Sequence, residues 1–367
     1  MKEIAVKQRF YPTPEQVTLL EQTFGCTRFV YNSILRWRTD AYYNEQIKIN
    51  YSKASSYLTE LKKNPEFPWL NDVSSVPLQQ AIRNQQTAFK NFFEGRAKYP
   101  TFKKKRSKQS AQLTKAAFRY TDGQLFMAKS KQPINVRWSR ELPSEPTTIT
   151  ISKDSAGRYF VSCLCRFEPK PLSISKNTVG IDLGLTDLVI ASNGFKSGNP
   201  RHTKRYASKL AKTQRVLSKK KKGSSNFHKA RKKVARVQAK IADCRHDFTH
   251  KLTSQLINDN QVISCESLSV KNMVKNRKLA KAISDANWGE FVRQLTYKAE
   301  WYGRTVVKID KWYPSSKRCN CCGYVVDSLP LHIRKWSCPQ CSSELDRDIN
   351  AALNIKAVGQ TVLACGA

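Results

Sequence analysis

The sequence has no run of about 18 apolar residues, which leaves no segment able to span a bilayer as a helix. Its first residues, MKEIAVKQRFYPTPEQ, lack the apolar stretch of a secretory signal, so the expected location is the cytoplasm. Acidic residues are scarce: 28 Asp and Glu face 65 Lys and Arg, giving a formal net charge of +37 and a pI near 9.9. A compact chain with that charge repels itself, and its expected company is a polyanion. The basic residues are spread over many segments, which favours nucleic acid over a membrane surface. A disulfide framework is not indicated either. The 11 cysteines are odd in number. Cys26, Cys163, Cys165, Cys244, Cys265 and Cys365 lie in apolar or helical contexts that suit small core residues, while the other five crowd between 319 and 341. What remains is a 367-residue chain, 40% hydrophobic, long enough for two or three domains with real cores.

Ile4, Val6 and Phe10 share one face of an N-terminal strand, and Thr13-Pro14-Glu15-Gln16 has the form of a capping box with Pro at the first helical position. Helical spacing continues to about residue 98, with Ser52 and Ser75 as caps of two further helices. The basic cluster Lys103, Lys104, Lys105 and Arg106 follows. From about 115 the period changes to two, through Ile134, Val136, Ile149, Ile151, Val161, Cys163 and Cys165. These strands are expected to form a small barrel joined by the N-terminal strand, with the helical unit inserted between. Residues 168–177 form a Pro/Ser linker, after which strand and helix patterns alternate in an α/β layer arrangement.

Residues 201–240 hold sixteen Lys or Arg and no acid, including Lys219, Lys220, Lys221 and Lys222. A solvated helix face normally mixes both signs, so one-sign charge at this density favours phosphate contact. Cys319-x-x-Cys322 and Cys338-x-x-Cys341 stand fifteen residues apart, a spacing that places four thiolates tetrahedrally around Zn²⁺. Such a site is closed and structural, and Cys321 is a spare thiol that could compete as a ligand.

Three carboxylates remain. In TVGIDLGL, Val179 and Ile181 alternate onto one face while Gly180, Asp182 and Gly184 take the other, a bare surface that suits a phosphate with its metal ions. Glu266 sits on a later strand, VISCES. Asp346 and Asp348 open a final helix, Asp346 suiting an N-cap and Asp348 standing ahead of the small Ala351 and Ala352, which let that helix lie close to a sheet. Asp182, Glu266 and Asp348 can therefore converge at one sheet edge and hold two divalent ions, Mg²⁺ by their oxygen chemistry, for phosphodiester hydrolysis.

In this order GIDLGLTDL, VISCESLSVKNM, SSKRC-x-x-C with C-x-x-C, and DRDINAALNI resemble the TnpB proteins of bacterial insertion sequences, relatives of the type V CRISPR effectors. The resemblance extends to FYPT with Gln16, FVYN at 29–32, YPTFKKKR and WGEF at 288–291. It implies a multidomain α+β protein: a β-barrel wedge domain (1–11 and 115–175), a helical recognition domain (12–114), an RNase H-like RuvC nuclease domain (176–318 and 343–367) and a zinc ribbon (319–342). It implies Asp182, Glu266 and Asp348 as the Mg²⁺-binding catalytic triad of an RNA-guided DNA endonuclease. One protein would bind one guide RNA from the transposon end and cut double-stranded target DNA beside a short adjacent motif. Tyr51 and Gln79 occupy positions where the family places motif-reading side chains. In such a division of labour base pairing reads the sequence and the protein follows shape and phosphates.

Three other readings compete. GIDLG also opens actin-like and sugar-kinase ATPases, but the charge, the zinc box and the lack of a second glycine-rich turn after Glu266 speak against them. A non-cleaving RNA-guided DNA-binding regulator would have lost acidic residues that are present here. A guide-independent zinc-ribbon DNA-binding transposition protein would recognise duplex DNA on its own.

Overall fold

The computed structural model describes residues 1–365. The chain forms two compact units, Met1–Glu168 and a second beginning at Pro169.

In the first unit β1 (Lys2–Tyr11) leads into α1 (Pro14–Glu45), α2 (Tyr51–Lys63) and α3 (Ser75–Phe93). The strands β2 (Gln109–Thr114), β3 (Phe118–Thr121), β4 (Gln124–Met127), β5 (Asn135–Arg137), β6 (Thr148–Lys153) and β7 (Tyr159–Phe167) follow. The capping box is formed as its sequence suggests, Thr13 and Gln16 closing reciprocal bonds at the start of α1. The next two caps differ from the expectation. Asn50 accepts from the Lys53 N–H, and Ser74 accepts from the Val76 N–H, so Ser52 and Ser75 lie inside the helices. Val30, Ile34, Leu58, Leu78 and Ile82 make the core of the three helices.

The expected barrel is corrected by the structure: among the described residues no closed barrel forms. The sheet is open and five-stranded, ordered β2-β6-β7-β1-β5, while β3 and β4 form a separate hairpin. Closure fails for two physical reasons. Strand β5 is three residues long and pairs only with Arg9–Tyr11 at the end of β1. The apolar face that a barrel would turn onto itself is instead filled by Leu20 and Phe24 of α1, which join Phe10, Ile149, Ile151, Val161 and Cys163 in one core. A sheet covered by a helix has no need to close.

The second unit carries β8 (Thr178–Asp182), β9 (Ile190–Ala191), α4 (His202–Arg205), α5 (Ala207–Ser218), α6 (Ser225–Asp259) and β10 (Val262–Glu266). Then come α7 (Val270–Met273), α8 (Ala280–Ala286), α9 (Trp288–Tyr302), β11 (Thr305–Ile309), β12 (Lys335–Ser337), β13 (Glu344–Asp346) and α10 (Arg347–Ala364). Its main sheet runs β11-β10-β8-β9, the first three strands parallel and β9 antiparallel. Period-two alternation divides the faces. Val179, Ile181, Ile263 and Cys265 pack against Leu252 and Leu256 of α6 and Phe291 and Leu295 of α9. Gly180 and Ser264 face α10.

That second face answers why the glycine is there. A Cβ at Gly180 would run into the Ala352 carbonyl oxygen and the Lys356 backbone nitrogen, and a Cβ at Gly359 would run into Ser264. The bare surface around Gly180 thus receives the backbone of a helix, and a phosphate has no room there. The small Ala351 and Ala352 are fully covered, as close approach requires. No helix among the described residues is long and apolar enough to cross a membrane.

Candidate functional site

Asp182 closes β8 and Glu266 closes β10, and the register of these parallel strands, Val179 with Ile263 and Ile181 with Cys265, puts both acids at the same carboxyl end of the sheet. Open α/β sheets build their sites at that end. Helix α10 brings the third. Ala352 lies against Gly180, so four helical residues back to Asp348 cover about 6 Å, the same rise as the two strand residues from Gly180 to Asp182. Asp346 is the N-cap, accepting from the N–H groups of Asp348 and Ile349, and holds Asp348 in the first turn.

All three acids are half-buried, so each is reachable from solvent. Burial, then Glu266, then Asp348, push the Asp182 carboxyl up to about 7, against the pull of the Leu183 N–H and of Arg347. Asp182 therefore feels both of the other carboxylates. Their oxygens are not in mutual contact: among the described residues the one set of three or more His, Cys, Asp or Glu with ligand atoms within 4.8 Å of one another is Cys319, Cys322, Cys338 and Cys341. A wider spread suits oxygen ligands around a pair of hydrated ions.

Two of the acids, Glu266 and Asp348, have a holder that the sequence did not single out. Ser315 Oγ donates to Glu266 Oε1 at 2.6 Å. Arg334 Nη1 donates to both oxygens of Asp348, at 3.1 and 3.3 Å. Asn354 Nδ2 donates to the carbonyls of Ser315 and Arg318, and Asn350 Nδ2 to that of Arg318. Both asparagines are buried one turn apart on α10, so the helix that carries Asp348 also clasps the segment that carries Ser315. Asn350 and Asn354 could have been noticed from their helical spacing with Asp348 inside DINAALN; Ser315 and Arg334 left no such pattern. A cleft of about 810 Å³ opens on Glu266, lined also by Arg293, Tyr297, Lys308 and Lys311.

The four cysteines meet as their spacing suggests. Sγ atoms lie 3.7 Å apart for Cys319 and Cys341, and 3.6 Å apart for Cys322 and Cys338. Tetrahedral thiolates at metal distance stand about 3.8 Å apart, so the set fits one four-coordinate ion. The first knuckle turns at Gly323, whose φ of +82° favours glycine, and the second at Ser342, in the same left-handed region at +57°. Cys321 is exposed and stays outside the set.

The basic candidates are placed as follows. Lys103 lays its ammonium over the Tyr31 ring at 4.2 Å. Lys104, Lys105 and Arg106 are exposed on a loop whose carbonyls at 104, 105 and 107 are gathered by Gln109 Nε2. Lys219, Lys220, Lys221 and Lys222 are exposed between α5 and α6. Tyr51 begins α2 and its hydroxyl accepts from Arg83 Nε at 3.2 Å. Gln79 is exposed one helical turn before Arg83 and borders a cleft of about 360 Å³ with Ser55, Thr59, Lys62 and Lys63.

Comparison with known proteins places these features in a lineage. Residues 161–277 match the family described as a probable transposase (OrfB of IS605), and residues 288–355 match the TNB domain of Cas12f1-like proteins. Residues 1–47 match a domain described as helix-turn-helix, although here they form one strand and one long helix. A Streptomyces pristinaespiralis protein named "Putative RNA-guided DNA endonuclease" is 53% identical over 99% of this chain and 90% of its own length. The Escherichia coli protein "Putative RNA-guided DNA endonuclease InsQ" is 32% identical over 99% of this chain and 94% of its own. Among solved structures, the Cas12f1 chain of a complex with single-guide RNA and target DNA superposes with a TM-score of 0.57 at 14% identity, covering 94% of this chain and 83% of that one. That likeness speaks to fold, while the identities over full length speak to descent: the chain belongs to the TnpB family of transposon-encoded proteins related to RNA-guided DNA endonucleases.

Proposed function

We propose that this protein is the RNA-guided DNA endonuclease of an insertion sequence, acting in the bacterial cytoplasm on double-stranded DNA beside a short adjacent motif. The observation that carries the reading is the convergence of Asp182, Glu266 and Asp348, from two adjacent strand ends and one helix start, felt electrostatically at Asp182. Carboxylates that repel one another at one strand end are what a divalent metal site offers before it is filled.

In this reading Asp182, Glu266 and Asp348 hold Mg²⁺, which when bound would activate a water and stabilise the departing 3′-oxygen. The chain's own work is placement. Ser315 orients Glu266, Arg334 holds Asp348 until metal and phosphate compete for it, and α10 fixes the spacing. The four cysteines hold Zn²⁺ as a structural ion, stabilising the ribbon on the order of 10 kcal/mol. The family identity supports the division into wedge, helical recognition, nuclease and ribbon domains, with Lys103–Arg106 and Lys219–Lys222 on phosphates and Tyr51 and Gln79 at the adjacent motif.

The test is to co-express the protein with its native flanking DNA, purify it at high salt and sequence the bound RNA. One dominant RNA ending in sequence from beyond the element supports the guide complex. A random mixture of cellular RNA sinks it. With that RNA in hand, Asp182→Ala should abolish cutting and leave guided DNA binding intact; cutting at the wild-type rate removes Asp182 from the site.

A further inference from the structure

Trp312 is 80% exposed, in contrast to Trp288, which is 2% exposed in the core of the same unit. A single exposed aromatic is common on protein surfaces, and what distinguishes this one is where its loop is anchored. The loop that carries it is well fixed. Ile309 ends β11 and is buried; Asp310 Oδ1 accepts from the Trp312 N–H at 2.7 Å, and Ser315 N donates to the Tyr313 carbonyl at 2.8 Å. Ser315 is itself buried and bonded to Glu266. The ring is thus presented three residues from a side chain that holds a catalytic acid. Its flank is cationic. Lys311 Nζ stands 4.7 Å from the ring centre, and Lys308 and Lys311 line the cleft that opens on Glu266.

An exposed aromatic plane with an ammonium group beside it has the two elements that bind single-stranded nucleic acid: a surface for a base and a cation for its phosphate. Duplex bases are already stacked on their neighbours. Only an unpaired strand offers a free base face. We propose that Trp312, with Lys311 and Lys308, is a stacking platform for one base of single-stranded DNA beside Glu266. The proposal deepens the nuclease reading and rests on it for its biological meaning. Because the loop is tied to Glu266 through Ser315, the platform would fix how far the stacked base lies from the acidic centre, and so which phosphodiester is presented for cutting.

The first measurement needs neither guide nor cleavage. The intact protein is irradiated with a single-stranded oligonucleotide of about 12 residues carrying 5-iodo-2′-deoxyuridine, and adducts are mapped by mass spectrometry. Trp312 should carry the main aromatic adduct, and Trp312→Ala should bind the same strand about tenfold more weakly, with Trp312→Phe recovering most of the loss. Adducts elsewhere with Trp312 unmodified, equal binding by the alanine variant, or equal competition by duplex overturn the proposal. Cleavage by the guide complex separates the two ideas. If wild type and Trp312→Ala cut at equal rates, the platform fails and the nuclease reading stands. If Trp312 is crosslinked but no guided cutting is ever seen, the nuclease reading fails and the platform stands.

Discussion

The backbone of Ala352 rests directly on Gly180, with no room between helix α10 and strand β8 for a single methyl group. Substituting Gly180→Ala forces the helix and the strand apart at the point that sets the distance between Asp182 and Asp348. Overpacking against backbone costs about 1–3 kcal/mol or more, so thermal unfolding should drop by several degrees and cleavage should fall far more than stability. Gly359→Ala meets Ser264 instead, a side chain that can be trimmed. The pair Gly359→Ala with Ser264→Gly should recover part of the lost stability, and no recovery would show that this contact does not set the packing.

Ser315 gives Glu266 a neutral hydrogen-bond donor from the segment just ahead of the ribbon. A hydrogen bond to a charged group contributes about 1.5–3 kcal/mol. In Ser315→Ala the carboxylate is free to turn, and the half-saturating Mg²⁺ concentration for cleavage should rise about tenfold at unchanged guide affinity. An unaltered Mg²⁺ titration would mean that Glu266 is held by its strand alone.

The cysteine set predicts one metal ion per chain. Metal analysis should find zinc near one equivalent, and Cys338→Ser should lose it. Removing the ion with a chelator frees the segment from Cys319 to Cys341, which also carries Arg334. Hydrogen exchange should rise in that segment and in the first turn of α10, with the five-stranded sheet of the first unit unaffected. Full protection after metal loss would assign the ribbon's stability to Trp336 and Leu345 rather than to the ion.

His250 supplies a pH dependence. Burial, the neighbouring His246 and the Lys298 ammonium press its pKa down from 6.5 to about 4. Lys298 is itself lowered to about 8 by burial, with its ammonium on the His250 carbonyl and the Thr253 and Ser254 hydroxyls. Between pH 6.5 and 4 the unfolded chain takes up a proton at this imidazole that the folded chain refuses. Stability from this group is therefore full above 6.5 and is lost as pH falls through about 4. Histidine resonances should show one imidazole titrating near 4, moving upward in Lys298→Met. The acid loss of stability should be smaller in His250→Gln; an identical loss would place its origin elsewhere.

Much of the site was legible in the sequence because short-range patterns carry it. Two C-x-x-C pairs, an acid after a run of alternating apolar residues, and small residues behind Asp348 each state their local geometry. The expected barrel fails for the opposite reason. Alternation along β6 and β7 reports one buried face, but whether a helix or more sheet covers that face depends on Leu20 and Phe24, over 100 residues away. The glycine at 180 signals a bare surface in the sequence, but the occupant expected there, a phosphate with its metal ions, is replaced in the structure by the backbone of α10. Ser315 and Arg334 were invisible since a serine in a turn and an arginine in a basic chain carry no pattern of their own.

The order of elements along the chain has a consequence for synthesis. The strand bearing Asp182 emerges from the ribosome well over a hundred residues before the helix that covers its glycine face, and Asp348 arrives with that helix. Contacts so distant in sequence form late. Until residue 348 has been made and the ribbon ahead of it has closed, a nascent copy carries two of the three acids on an uncovered sheet. In the proposed enzyme cutting power would therefore be the last property acquired during translation, and an interrupted chain would be harmless to the DNA around it.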